Sequence, residues 1–197
     1  MPNVNKQSYA LTVLTPIITG RTAGVVHATE LRSVLWRINA LPESPFAKIA
    51  GTHFGRWSIL DDVPPFGYPT HSDQLQSKYL MLEADFDGDR DAWIDAMLTV
   101  APRAVSDIYA HCVQSPDVID RLAFRNYLVA AQLDTTLQFS PFSANSLPSV
   151  LRALDNQRKF VGFARAVQGK TNAELRAAFT DFVRKMHDAT LPRPGSI

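Results

Sequence analysis

Residues 52–61, THFGRWSILD, and 78–87, KYLMLEADFD, decide how the chain folds. Both are rich in aromatic and aliphatic side chains, and the interval between them holds Pro64, Pro65, Gly67 and Pro69, so they read as two strands of a long-looped hairpin. Strand parity puts Phe54, Arg56, Ser58 and Leu60 on one face of the first strand and His53, Gly55, Trp57 and Ile59 on the other. In the second, Leu80, Leu82, Ala84 and Phe86 share an apolar face, whereas Tyr79, Met81, Glu83 and Asp85 share a mixed one. The mixed face is where a ligand is expected.

On the N-terminal side, Tyr9 to Ile18 reads as a further strand, closed by Pro16 and Gly20. Leu31, Val34, Leu35, Ile38 and Leu41 then recur at helical spacing behind Thr29 as cap, and Pro42 stops the pattern. On the C-terminal side, Asp89 caps a helix carrying Trp93, Ile94, Met97 and Leu98, and after Pro102 the spacing resumes through Val105, Ile108, Tyr109 and Cys112. Ser115-Pro116-Asp117 starts another helix with Ile119, Leu122, Ala123 and Tyr127, and Leu133 to Phe142 reads as a fourth strand. Val150, Leu151, Leu154 and Val161 mark one more helix, and Thr171-Asn172-Ala173-Glu174 is a capping box opening a last one through Leu175, Phe179 and Phe182.

With the short helices merged, the order is βαββαβ followed by helices. That is the ferredoxin-like arrangement of an α+β fold, an antiparallel sheet with helices on one face. No repeat or linker is visible, so residues 1–197 read as a single ferredoxin-like domain with a helical C-terminal extension from about residue 144. The face opposite the helices needs a cover, either the C-terminal helices or a second subunit.

Composition bounds the function classes. Twenty basic and 19 acidic residues leave a net charge of +1, too little overall field to hold a polyanion or an anionic membrane, so no nucleic-acid or membrane partner is expected. The charge is uneven: residues 151–197 carry +5 and residues 1–150 carry −4. One cysteine, Cys112, excludes an internal disulfide, and the N-terminus lacks a cationic start followed by an apolar run, so a cytoplasmic setting is expected. No Walker A, GxGxxG, GxSxG or HExxH pattern occurs.

Three segments resemble a group of bacterial proteins: His53-Phe54-Gly55-Arg56-Trp57, then Leu80 to Asp89 (LMLEADFDGD), then Ile108-Tyr109-Ala110-His111-Cys112. In that group a histidine-phenylalanine-alanine-arginine strand precedes an apolar strand ending in asparagine-phenylalanine-aspartate-glycine and a helix ending in histidine-cysteine. The resemblance spans about residues 45 to 165, with Gly55 in place of alanine and Asp85 in place of asparagine. The group resembles the dimeric α/β-barrel proteins, in which two ferredoxin-like units join their sheets. They include dye-decolourising peroxidases, chlorite-dismutase-like haem proteins and cofactor-free monooxygenases. The resemblance implies a homodimeric small-molecule enzyme, first of all a haem-dependent, peroxidase-like oxidoreductase. The alternatives are a cofactor-free oxygenase or isomerase, a binding protein for an apolar metabolite, or a structural or partner-binding domain.

Candidate site residues follow from these readings. Arg56 can meet Glu83 or Asp85 across neighbouring strands, depending on register, and a charge-paired arginine beside apolar groups can polarise a peroxide or anchor a carboxylate. Phe54, Tyr79 and Met81 are the expected substrate contacts. Of His27, His53, His71, His111 and His187, helix-borne His111 and His187 are the candidate haem ligands, with His111 preferred. His53 and Arg56 stand three apart and face opposite sides unless a bulge intervenes. Asp85, Asp87, Asp89 and Asp91 lack the spacing of an EF-hand loop and read as a turn before an acidic helix start, and His111-Cys112 lacks zinc spacing, so no metal site is expected. Trp36, Trp57 and Trp93 are expected in the core.

Overall fold

The computed structural model describes residues 3–62, 75, 77–141, 143–187 and 190–195, and the chain divides into two compact units, Met1–Ala144 and Asn145–Ile197. The first runs β1 (Val4–Asn5), β2 (Ser8–Pro16), a small ribbon of β3 (Arg21–Thr22) and β4 (Val25–Val26), and α1 (His27–Asn39). A 3₁₀ turn (Pro45–Lys48), β5 (Thr52–Leu60), β6 (Tyr79–Asp87), α2 (Arg90–Val100), α3 (Pro102–Tyr109) and α4 (Arg121–Ala130) complete it. His71 and the loop residues Pro64, Pro65, Gly67 and Pro69 lie outside the described residues, as does Phe142.

The sheet has the order β1-β2-β6-β5, every neighbouring pair antiparallel. Alternation decides its sides. Leu11 and Val13 of β2 and Leu80, Leu82, Ala84 and Phe86 of β6 are buried in one cluster with Leu31 and Val34 of α1, Ile94, Met97 and Leu98 of α2, Val105 and Ile108 of α3, and Phe124 and Leu128 of α4. Each such side chain other than Ala84 contributes about 1.5–3 kcal/mol of burial. An aromatic stack runs through the cluster, with ring centroids 5.4 Å apart for Tyr9–Phe86, 4.7 Å for Phe86–Trp93 and 4.3 Å for Phe46–Trp57. Trp93 Nε1 donates to Thr52 Oγ1 at 2.9 Å, so the indole is buried with its polar atom satisfied.

The outer edge of β2 is closed piecewise. Leu14 N donates to Ala131 O at 3.0 Å and Leu133 N to Thr12 O at 2.8 Å, while Ala10 N uses Asn3 O and Ile18 N uses His111 O. Gln132 and Cys112 make isolated bridges to Val13 and Ile17. These contacts satisfy the edge without a continuous strand, so residues 133–141 stay irregular where a fourth strand was expected.

Other local readings move as well. Helix α1 starts at His27 with Val26 as cap, two residues ahead of Thr29. Ser115-Pro116-Asp117 makes a turn in which Ile119 N donates to Asp117 Oδ1, and the cap of α4 is Asp120, which accepts from Ala123 N at 3.0 Å. Trp36 is 74% exposed on the outer flank of α1, away from the core expected for it.

The second unit is a pair of helices, α5 (Leu147–Ala166) and α6 (Asn172–His187). The capping box forms: Thr171 N donates to Glu174 Oε2 at 2.9 Å and Glu174 N to Thr171 Oγ1 at 3.4 Å. Phe163 stacks on Phe182 at 4.5 Å between centroids, with Phe160 and Phe179 beside them. No helix among the described residues is long and apolar enough to cross a membrane.

Candidate functional site on the open sheet face

The sheet face turned away from α1–α4 is organised by β6. Tyr79, Met81, Glu83, Asp85 and Asp87 line it by parity, all half-buried, and the registers Phe54↔Asp85, Arg56↔Glu83, Ser58↔Met81 and Leu60↔Tyr79 set the β5 side chains beside them. Ser8, Ala10, Thr12 and Leu14 supply the same face of β2. The structure therefore brings Arg56, Glu83, Asp85, Phe54, Tyr79 and Met81 onto one surface.

The register also decides which acid Arg56 meets. Its Nε donates to Glu83 Oε2, and its guanidinium carbon stands 5.6 Å from the centroid of the Phe54 ring. Asp85 is engaged from the other side, accepting from the Ser8 hydroxyl of β2. A carboxylate held by a hydroxyl and one held by a guanidinium are thus neighbours two residues apart on β6.

A bulge adds the group that parity excludes. The β5–β6 register slips between Thr52, opposite Phe86, and Phe54, opposite Asp85. The extra residue is His53, and its Nε2 reaches Asp87 Oδ1 at 2.8 Å. The two side chains are only 11% and 19% exposed, so the imidazole is oriented by a carboxylate in a largely dry setting. Gly51 shapes this entry: its φ of +77° favours glycine, its carbonyl accepts from Asp87 N at 2.9 Å, and an added Cβ would sit 3.3 Å from Asp87 Cβ. The glycine just before Thr52 was the available sequence signal.

Gly55 has a packing reason. A Cβ at that position would come within 2.5 Å of the Phe46 ring, which packs over β5 against Trp57. Glycine at the position where the resembling proteins have alanine leaves room for that ring. A cavity of about 210 Å³ beside it is lined by Leu35, Ile38, Phe46, Gly55, Arg56 and Trp57.

No protein-family model, curated protein or solved structure matches the chain.

His111 belongs to a different constellation. At the C-terminal end of α3, its Nδ1 stands 3.1 Å from Nδ1 of His27 at the start of α1, and His27 Nε2 stands 3.0 Å from Thr22 Oγ1. Both helices pack on the covered face, so this row is separate from Arg56, Glu83 and Asp85. Burial, and then the neighbouring His27, hold the His111 pKa below its ordinary value. Cys112 is buried beneath Thr15 Oγ1, and burial pushes its thiol up to about 11, which disfavours the nucleophilic thiolate at neutral pH. His187 closes α6 in the second unit.

The four aspartates around Gly88 divide among separate tasks. Asp85 meets Ser8, Asp87 meets His53, Asp89 caps α2 by accepting from Ala92 N at 2.9 Å, and Asp91 accepts from Arg90 at 2.8 Å. Among the described residues no three His, Cys, Asp or Glu side chains form a group able to hold a metal ion.

Proposed function

We propose that Met1–Ala144 is a ferredoxin-like unit of the dimeric α/β-barrel kind and that its open sheet face carries out acid–base chemistry on a small molecule. The carrying observation is the bulge that pairs His53 with Asp87 at 2.8 Å on the face that holds Arg56–Glu83 and Ser8–Asp85. An imidazole fixed by a carboxylate is oriented to serve as a general base, and Arg56 is the group to anchor an anionic substrate end. Phe54, Tyr79 and Met81 offer the apolar contact surface. The chemistry closest to this set is proton abstraction, as in a cofactor-free isomerase or oxygenase.

The strand order supports the ferredoxin-like assignment: β2, β5 and β6 correspond to the first, second and third strands of that pattern and stand in the order β2-β6-β5, with the piecewise edge in the fourth strand's place. A second copy of the chain covers the open face in this reading, in a cytoplasmic setting where the lone thiol stays reduced.

A haem-dependent reading is second, and one observation favours it: Nδ1 of His111 is held by His27, an outer contact that suits an axial ligand presenting Nε2. Its ligand then stands apart from Arg56, Glu83 and Asp85. Two measurements separate the readings. Mass spectrometry of small molecules released from the native full chain is expected to find a metabolite that Arg56→Ala and His53→Ala lose. Addition of haemin is expected to produce no Soret shift; a shift abolished by His111→Ala would replace the first reading with the second.

A further inference from the structure

The α5–α6 pair holds a groove of about 540 Å³, within the range of small-molecule sites. Its floor is apolar: the stacked rings of Phe163 and Phe182, with Ala166, Ala178 and Met186 beside them. Its rim is cationic. Lys159 and Lys185 stand on the helices and Lys170 on the connection between them, against one acid, Asp181. Asp181 is already bonded to Arg184 and Lys185, and Lys159 to Asp155, whereas Lys170 forms no ion pair among the described residues and its charge acts on Glu174 only at longer range.

Gly162 points to the purpose of the space. A glycine inside a helix costs about 1 kcal/mol relative to alanine, so its presence needs a compensating reason. The usual one is a close approach by a neighbouring atom, yet an added Cβ at Gly162 would meet nothing within 4 Å. What the missing side chain does is keep the groove open, since Gly162 lines it. From Lys159 to Ala166 the groove follows seven residues of α5, ~11 Å at 1.5 Å per residue, a length matching an extended acyl chain of about ten carbons.

We propose that this groove binds a long-chain carboxylate, its chain laid along Gly162, Ala166, Phe163 and Phe182 and its head group at Lys170. Charge complementarity selects the anion: residues 151–197 carry a net +5, three lysines rim the groove against one acid, and Lys170 is the one of the three that forms no ion pair among the described residues.

Isothermal titration of the full chain with dodecanoate below its micelle concentration tests this, beside dodecanol, dodecyltrimethylammonium and butyrate. One dodecanoate is expected to bind saturably, dodecanol at least tenfold more weakly, and the cationic and short-chain probes not at all. Lys170→Gln is expected to weaken dodecanoate about tenfold. Gly162→Leu fills the groove and restores a good helix former, so binding is lost while the unfolding temperature does not fall. Equal binding of dodecanol or the cationic probe, undiminished binding by Gly162→Leu, or no saturable dodecanoate binding would overturn the proposal.

Discussion

The two units treat apolar side chains in opposite ways. In Met1–Ala144, Leu11, Leu80, Leu82, Phe86, Ile94 and Met97 are fully enclosed between one sheet face and four helices. In Asn145–Ile197, α5 has no fully buried residue, and Leu154, Phe160, Val161, Phe179 and Val183 stay exposed. A sheet with helices on one side has enough facing surface to bury a layer. Two helices have only the seam between them, so their remaining apolar stripes stay at the surface. The comparison teaches where stability and where binding capacity reside: the first unit holds itself together, and the second retains apolar surface that its own fold does not use.

The contrast can be broken by paired substitutions read in urea unfolding. Phe86→Ala removes a ring stacked between Tyr9 and Trp93 and is expected to cost about 3–5 kcal/mol, whereas Phe160→Ala in the helical pair should cost under about 1 kcal/mol. Equal losses would show that the second unit is as tightly packed as the first. Next in size is Gly55→Ala, whose Cβ must displace the Phe46 ring; a loss of about 1–3 kcal/mol is expected, partly relieved by Phe46→Leu. Removing caps sharpens the comparison further. Asp89→Ala should lower global stability by ~1 kcal/mol. Thr171→Ala should instead speed amide exchange in the first turn of α6 with little change in global unfolding.

The smallest expected effect is with pH. His111 has a lowered pKa in the fold, so on acidification through its ordinary value the unfolded chain takes up a proton that the folded one resists. Its contribution is therefore complete above the unfolded value of 6.5 and is lost as pH falls toward the folded one. Thermal unfolding at about pH 7.5 and about pH 5.5 should show a drop on the acid side that His111→Gln reduces. A drop of the same size in the variant would assign the acid sensitivity to other groups.

Much of the architecture was legible because its signals are local. The alternation of Leu80, Leu82, Ala84 and Phe86 and the caps at Asp89 and Thr171 depend on neighbours a few residues away, and each stands as read. Residues 133–141 do not form the expected strand: beyond Leu133, β2's edge is satisfied by Asn3, Ala131, His111 and Val113, most of them contacts from far along the chain that no local propensity encodes. Trp36 was placed inside on hydrophobicity alone, but α1 turns Leu31 and Val34 to the core and leaves that indole outside. The candidate site divides similarly. Arg56 and Glu83 were legible as cross-strand neighbours, His53 was set aside by parity, and His111 was linked to them only through its likeness to a haem ligand.

The sequence by itself determined β2, β5, β6 and most of the helices, the apolar face of β6 and the uneven charge, because strand parity, helical period and cap chemistry act over one to four residues. Tertiary structure alone decided that Arg56 meets Glu83 while Asp85 meets Ser8, that a bulge returns His53 to Asp87, and that His111 belongs with His27. Each of those choices is a matter of register or of packing between segments from 27 to 84 residues apart. A one-residue slip reverses the face of every side chain beyond it, and only the paired strands can set where that slip falls.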